Sequence, residues 1–249
     1  VLGKQESLVA TLKYITYAIA GGMAVFAGII LIYSWTGSLA FNAVTENPLS
    51  LSQYGTLAIL LIGGFSVKMA LLPFHLWQAE AYALTSGPAS VFLGAISARM
   101  GLFAIVITMM HVVDLKTLDS IFLIPELFTF RDFLIWVAAL SIILPTYTAL
   151  RQNDARLLLA WHGIGQGGYM MLGLLMYDQM GSAGGLLHVF NYASCQAILF
   201  MSVFSILHRT GTTNLNQLGG LVARMPLSFL AMLVGIIGLA GLPPMNGFV

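Results

Sequence analysis

The sequence predicts an all-α polytopic membrane protein. Of its 249 residues, 59% are hydrophobic and 8% are charged, and the mean hydropathy is +0.91. A soluble domain, in contrast, carries roughly a quarter charged residues. Apolar runs of about 20 residues recur along the whole chain, and each is long enough to cross a hydrocarbon core of roughly 30 Å as a helix. This composition excludes a soluble globular protein.

Seven apolar segments predict the transmembrane helices, and most of the connections between them are short. The two longer connections are 35–54 and 111–131, and the second holds three of the nine acidic residues. The segments span about 14–34, 55–80, 88–110, 132–150, 156–177, 183–207 and 226–249.

The basic residues predict the orientation, because cytoplasmic loops carry an excess of Lys and Arg. The side that holds the N-terminus receives six basic residues, whereas the opposite side receives only Lys116 and Arg131. Residue 1 is therefore expected on the cytoplasmic side of a cell's inner (cytoplasmic) membrane, or of the mitochondrial inner membrane if the protein is organellar. The six residues are Lys4, Lys13, Arg151, Arg156, Arg209 and Arg224.

Two further basic residues, Lys68 and Arg99, lie inside apolar segments. At 1.5 Å per residue, Arg99 lies roughly 17 Å from Pro88 and Lys68 about 20 Å from Gly55. A charge at such depth costs about 2.5–3.5 kcal/mol on insertion scales. Snorkelling or pairing with a carboxylate that fixes helix packing would explain it structurally, but none of the nine acidic residues lies well inside a segment. The functional interpretation is a hydrated path for protons or sodium ions.

The two buried bases differ in their chemistry. Burial destabilises the charged form of lysine, so Lys68 is the better proton carrier, whereas arginine stays protonated and Arg99 is expected to act as a fixed charge. His162 and His188 extend this set, since imidazole both accepts and donates protons near neutral pH. A lone membrane histidine is about as often a hydrogen-bond partner between helices.

Three more side chains complete the candidate site. Gln166 and Gln196 are polar positions on neighbouring segments that are expected to hold water. His75 comes seven residues after Lys68, two helical turns along the same face, and would extend the path toward the N-terminal side.

Proline and glycine predict two interrupted helices. Pro73 follows Lys68 by five residues, and proline removes a backbone hydrogen bond and kinks or breaks a helix. The interrupted segments are the second and the seventh, five segments apart, and paired interrupted helices at this odd spacing indicate an inverted-repeat transporter. Glycine and proline are also simply frequent in membrane helices. The predicted breaks in the seventh segment lie at Gly241, Pro243, Pro244 and Gly247.

The sequence predicts no cofactor in this chain. Cys195 is the one cysteine, so neither an iron–sulfur cluster nor a structural zinc is expected. The glycine-rich stretches "GIGQGG" and "GGLVARMP" follow no strand and carry no phosphate-loop lysine. Any redox centres, such as iron–sulfur clusters, are expected in partner subunits, and no nucleic acid is expected as a partner.

Several motifs resemble the antiporter-like membrane subunits shared by respiratory complex I, group 4 membrane-bound hydrogenases, formate hydrogenlyases and Mrp cation/proton antiporters. The sixth helix of that family is similar to "LKYITYAIAGGMAVFAGIILIYSWTGSL", and its broken seventh helix with the helix after it to "GFSVKMALLPFHLWQAEAYALTSGPASVFLGAISARMG". Its later helices are matched in order by "DARLLLAWHGIGQGGYMMLGL", "LLHVFNYASCQAILFMSV" and "HRTGTTNLNQLGGLVARMPLSFLAMLVGIIGLAGLPPMNGF".

The resemblance implies a longer subunit with two inverted five-helix repeats and discontinuous helices, of which this chain would hold helices six to twelve. Residues 1–110 would then end the first repeat, and residues 132–249 would form most of the second. It implies that Lys68 is the lysine of the broken seventh helix, paired with a glutamate upstream of Val1. Arg99 stands where the family usually has lysine or histidine. Gln196 replaces a frequent lysine and Gln166 a frequent histidine, whereas His188 is retained. The charge of the broken twelfth helix would lie just past Phe248.

The function implied is an ion-translocating, non-redox subunit of a redox-driven membrane complex, surrounded by lipid and by other membrane subunits, including related antiporter-like ones. The stretch "AWHGIGQGGY" departs from the usual complex I "AYSSIAHMGY", which favours a hydrogenase or formate hydrogenlyase. One alternative is an Mrp-type sodium/proton antiporter subunit. Another is a structural spacer that no longer conducts, as the non-titrating Arg99, Gln166 and Gln196 permit.

Overall fold

The computed structural model describes residues 5–176 and 178–248, which form a helical bundle with one small β-hairpin. Most of the chain lies in helices connected by short loops, as the apolar segments predict. The helices are α1 Gln5–Thr36, α2 Ala43–Glu46, α3 Leu51–Leu57, α4 Gly63–Met69, α5 Gln78–Ala83, α6 Gly87–Phe92, α7 Ala98–His111, α8 Leu115–Ser120, α9 Phe130–Leu150, α10 Ala155–Leu175, α11 Gln179–Thr210, α12 Leu221–Arg224 and α13 Pro226–Leu239.

The long helices confirm a multi-pass membrane fold. In the described residues, four helices are long and apolar enough to cross a membrane: Gln5–Thr36, Gly87–His111, Phe130–Leu150 and Gln179–Thr210. Helix α10 adds 21 residues between α9 and α11. The π-helical turns Ala58–Ile62 and Leu93–Ser97 join α3 to α4 and α6 to α7, so that each pair is one irregular helix. Such turns occur often near functional sites.

The connection 111–131 folds into α8 and an antiparallel hairpin, which the all-α prediction missed. Strand β1 (Phe122–Ile124) pairs with β2 (Phe128–Thr129), with Phe122 opposite Thr129 and Ile124 opposite Phe128. Aromatic and β-branched residues favour strands, and Glu126 takes a left-handed φ of 59° at the turn. The run is too short to show a strand period in the sequence.

The first break follows Lys68 directly. Helix α4 ends at Met69, and Ala70 takes a left-handed φ of 58°. The chain then passes through the cis Leu72–Pro73 bond before α5 begins. On α9, the buried Ser141 Oγ accepts a hydrogen bond of 3.0 Å from Leu72 N, so this backbone donor is satisfied inside the bundle, as membrane depth requires.

The second break repeats the backbone pattern of the first. Helix α13 ends at Leu239, and Gly241 takes a φ of 68° in the position corresponding to Ala70. Leu242 N donates to Ile237 O at 3.2 Å, as Leu71 N donates to Ser66 O at 3.1 Å after α4. A cis Pro243–Pro244 bond follows. The helices of both proline-containing segments are thus interrupted.

The contact between α1 and α4 depends on glycine. A Cβ on Gly64 would lie 2.8 Å from Gly21 O, and a Cβ on Gly21 would lie 2.9 Å from Gly64 O. Only glycine fits both positions without a shift, and small residues are how membrane helices approach closely. This approach brings Tyr14 of α1 against Lys68.

Asp154, the N-cap residue of α10, connects two segments at one end of the bundle through hydrogen bonds. Its carboxylate accepts hydrogen bonds from Arg156 N at 2.8 Å, Arg156 Nη2 at 3.0 Å and Thr213 Oγ1 at 2.7 Å. Burial alone would raise the pKa of Asp154, but the hydrogen bonds from Arg156 and Thr213 outweigh it and the pKa is lowered. The α9–α10 loop is thereby tied to the segment that follows α11.

Candidate functional site

Lys68 lies in the last turn of α4, half-buried beside the first break. Its Nζ is 3.4 Å from Tyr14 Oη, a long hydrogen bond, and 5.5 Å from the centroid of the Tyr14 ring. In the described residues it forms no ion pair with a carboxylate. The amine is therefore held by a neutral partner and a ring face, which leaves its charge uncompensated within this part of the protein.

A cavity of about 260 Å³ opens beside this amine, between α1 and the broken helix. It is lined by Tyr14, Lys68, Trp77 and small residues including Gly22 and Gly64. Most of its lining is apolar, and Lys68 and Tyr14 contribute polar groups to it.

Toward the N-terminal end of α1, Lys13 forms an ion pair with Glu80 of α5. Lys13 Nζ lies 2.7 Å from Glu80 Oε2 and 2.9 Å from Oε1. Both side chains are more than 40% exposed, so the pair is worth at most about 1 kcal/mol. The pair holds α1 to α5, and its carboxylate is not the missing partner of Lys68.

Arg99 lies on α7, in the first turn after the π-helical turn, and is only 5% exposed. Its guanidinium stacks on the Tyr192 ring at 4.1 Å, and Nη2 donates to Gly163 O at 3.1 Å. Within residues 5–176 and 178–248, Nε and Nη1 make no hydrogen bond of normal geometry. A ring face and a carbonyl therefore contact this charge, and in the described residues no carboxylate pairs with it.

Gly163 is at the centre of a buried polar cluster that joins α5, α7, α10 and α11. A Cβ there would lie 2.5 Å from Tyr192 Oη and 3.4 Å from Gln78 Nε2. Buried polar atoms without protein partners are usually hydrogen-bonded to water, so this cluster suits hydration. In the described part of the chain, the cluster's side-chain atoms without a hydrogen-bond partner include Gln78 Nε2 and Oε1, Tyr82 Oη, Tyr192 Oη and Gln196 Oε1.

Gln166 connects the two predicted histidines. His188 Nε2 lies 2.6 Å from Gln166 Oε1, and His162 Nε2 lies 3.0 Å from Gln166 Nε2. His162 and Gln166 are four residues apart and share a face of α10, while His188 reaches them from α11. The structure therefore brings these three side chains into one hydrogen-bonded row.

This row ends at the second helix break. A cavity of about 430 Å³ is lined by Gln166, His188 and Asn191 together with backbone of the break at Ala240 and Gly241. Asn191 Nδ2 donates to Gly238 O at 3.2 Å, which satisfies a carbonyl at the end of α13. His188 thus lines a cavity beside the second break, as Lys68 lines one beside the first.

One of the predicted side chains lies in different surroundings from those expected, and another has an additional structural role. His75 lies between α4 and α5, with its ring 5.8 Å from the Trp161 ring, and because α4 ends at Met69 it does not share a helical face with Lys68. This part of the prediction was wrong. Gln196 is fully buried, and its Nε2 donates to Leu159 O at 3.0 Å, so it also fastens α11 to α10.

Sequence reasoning missed Tyr14, Gln78, Tyr82 and Tyr192. Tyr14 is separated from Lys68 by 54 positions in the chain, and the pairing depends on how α1 packs. Gln78 carried a usable signal, since it is an amide within a predicted apolar segment.

Comparison with known proteins agrees with this architecture. The family model described as "NADH:quinone oxidoreductase/Mrp antiporter, TM" matches residues 2–249. The chain belongs to this family. The antiporter-like resemblance of its motifs is thereby confirmed.

Individual relatives fall in both branches that the family's description names. The chain is 31% identical over 249 residues to an NADH-quinone oxidoreductase subunit of Desulforudis audaxviator, covering 99% of this chain and 48% of the relative. It is 29% identical over 249 residues to a Na(+)/H(+) antiporter subunit of Alkalihalophilus pseudofirmus, with the same two coverages.

A solved structure shares the fold. A chain of the membrane-bound sulfane sulfur reductase, an archaeal respiratory membrane complex, superimposes with a TM-score of 0.85 at 26% identity, covering 99% of this chain and 49% of that chain. The chain thus spans about half the length of the curated relatives it matches.

Proposed function

We propose that this chain is part of a subunit that translocates protons or sodium ions across the membrane, within a complex driven by electron transfer in other subunits. The complex would be complex I-like or a membrane-bound hydrogenase or formate hydrogenlyase. It would lie in an inner (cytoplasmic) membrane with residue 1 on the cytoplasmic side, surrounded by lipid and by related antiporter-like subunits.

The observation that carries this proposal is the pairing of a titratable side chain with each helix break. Lys68 lies in the last helical turn before the first break, and His188 lines a cavity with the second. Irregular backbone at membrane depth is tolerated where it is buried in protein or lines a cavity, and broken helices mark ion sites in inverted-repeat transporters. The shared backbone pattern of the two breaks supports assigning residues 1–110 and 132–249 to two inverted repeats.

The polar groups between the two breaks support a path. Arg99 Nη2 donates a hydrogen bond to Gly163 O on α10. Gln166 lies one helical turn further along the same face of α10 and is hydrogen-bonded to His188. Side chains that do not titrate usefully, such as Arg99 and Gln166, bias or position their neighbours in this scheme. Protons would pass between the titratable groups through water.

Transport measured with the intact complex in proteoliposomes tests the proposal. Lys68→Ala is expected to abolish ion uptake while electron transfer to an uncoupled acceptor persists. Lys116→Ala is the matched control, because Lys116 is an exposed lysine on α8, and it should transport at the unaltered rate. Full uptake by Lys68→Ala would contradict the proposal and favour a structural spacer.

An Mrp-type sodium/proton antiporter is the second candidate, favoured by the similarity to the Na(+)/H(+) antiporter subunit of Alkalihalophilus pseudofirmus. It needs no redox partner. Purification of the intact complex separates the two, since a redox complex brings subunits with iron–sulfur clusters or other metal centres and an Mrp complex does not.

A further inference from the structure

The carboxamide of Gln166 faces one histidine with its oxygen and the other with its nitrogen. Oε1 lies 2.6 Å from His188 Nε2, and Nε2 lies 3.0 Å from His162 Nε2. An amide oxygen only accepts hydrogen bonds, and an amide NH₂ only donates them. His188 Nε2 must therefore carry a proton and His162 Nε2 must be bare for both hydrogen bonds to form.

The same restriction holds if the amide is rotated by 180°. Oε1 then faces His162 and the NH₂ group faces His188, so His162 Nε2 must carry the proton and His188 Nε2 must be bare. In either orientation one of the two Nε2 atoms is protonated and the other is bare, since an imidazolium has protons on both ring nitrogens and cannot accept a hydrogen bond. Only the histidine that faces Oε1 can become charged while the row stays intact.

We infer that Gln166 makes the charged states of His162 and His188 mutually exclusive and selects, by the orientation of its amide, which of the two can hold the extra proton. This deepens the proposed function and rests on it for its role in transport. Gln166 itself gains and loses no proton. It is a positioning residue. When its amide rotates by 180°, the histidine that can hold the extra proton changes from one of the two to the other.

The electrostatic surroundings favour the same exclusion. Arg99 of α7 acts on both imidazoles, and a charge on His188 acts on His162, so a second added charge meets two like charges at low dielectric. Tyr169 places its ring 6.4 Å from the His188 ring. Helix α13 has no titratable residue, and Tyr82 on α5 lies within the electrostatic reach of Arg99. On α9, the titratable residues are Arg131, Asp132 and the exposed Tyr147.

Nitrogen-15 NMR of the full-length subunit in its complex, labelled at histidine and reconstituted in lipid, reads the two Nε2 atoms directly. Protonated and bare ring nitrogens give separate signals, and spectra of His162→Phe and His188→Phe assign them. Wild type is expected to show one protonated and one bare Nε2 at neutral pH. As the pH is lowered, only one of the two histidines should become an imidazolium.

Two substitutions at Gln166 give opposite expectations. Gln166→Glu presents two accepting oxygens, so both Nε2 atoms should become protonated and the bare signal should be lost. Gln166→Leu removes both hydrogen bonds, so the two Nε2 atoms should no longer be held in opposite protonation states at neutral pH. Gln217→Leu makes the same change at an exposed position of the short 3₁₀ helix Leu215–Gln217 and should leave the wild-type pattern.

Each outcome has a defined meaning. Two Nε2 atoms in the same state in wild type, a bare Nε2 retained in Gln166→Glu, or opposite Nε2 states retained in Gln166→Leu would each overturn the inference. The NMR pattern does not depend on transport. If wild type fails to transport ions but shows the paired states, the proposed function fails and the exclusion stands, whereas active transport with independent histidines removes only the exclusion.

Discussion

Gly163→Ala tests whether the buried cluster around Arg99 is packed as tightly as described. The new methyl group would lie 2.5 Å from Tyr192 Oη and 3.4 Å from Gln78 Nε2. Overpacking of this kind costs about 1–3 kcal/mol, and a displaced Tyr192 ring would weaken a buried cation–π contact worth about 2 kcal/mol. Replacing glycine by alanine in a helix stabilises the folded state by about 1 kcal/mol, which offsets part of this loss. The net expectation is a destabilisation of about 1–3 kcal/mol.

Thermal unfolding in detergent measures this effect. With about 2–4 °C per kcal/mol for a protein of this size, Gly163→Ala should lower the Tm by roughly 2–12 °C. The matched control is Gly184→Ala on α11, where the added Cβ meets nothing within 4 Å and the Tm should not fall. Adding Tyr192→Phe to Gly163→Ala removes the clashing hydroxyl and should recover part of the loss. A Tm for Gly163→Ala equal to that of the control would refute the packing argument.

The other predictions concern the helix breaks and one end of the bundle. Ala70→Gly relieves a left-handed φ of 58° and should raise the Tm by the equivalent of about 1 kcal/mol. Ala139→Gly, in the middle of α9, should lower it by a similar amount, and the reverse order would contradict the strain at Ala70. Ser141→Ala leaves Leu72 N unpaired and should lower the stability by about 1–3 kcal/mol. Ser205→Ala, at an exposed position of α11, should change the stability very little. Equal losses of stability in the two variants would refute the role of Ser141. The pKa of Asp154 is lowered, so its carboxylate adds stability at neutral pH, and this stability is lost as the pH falls through that pKa. Asp154→Asn should therefore narrow the difference in Tm between neutral and acidic pH. An unchanged pH dependence of the Tm would contradict this.

The sequence predicted the helices and breaks because their signals are local. Pro73 lies close to the end of α4, and Arg99 lies within an unbroken apolar segment. The face shared by His162 and Gln166 also follows from their spacing of four residues.

What the sequence left open depends on packing between helices. The bridge from Gln166 to His188 joins two helices, and nothing in the spacing fixes how α11 is rotated against α10. The stacking of Arg99 on Tyr192 has the same origin. His75 was misplaced because the prediction continued a helix that ends at Met69, where the left-handed Ala70 stops it.

Lys68→Arg in the intact complex tests the central claim most directly, because it keeps the positive charge beside Tyr14 and removes the ability to release a proton. Ion uptake into proteoliposomes is measured alongside electron transfer to an uncoupled acceptor. The account predicts loss of uptake with electron transfer and assembly retained. Uptake at the wild-type rate would contradict it, because a fixed charge at Lys68 would then suffice.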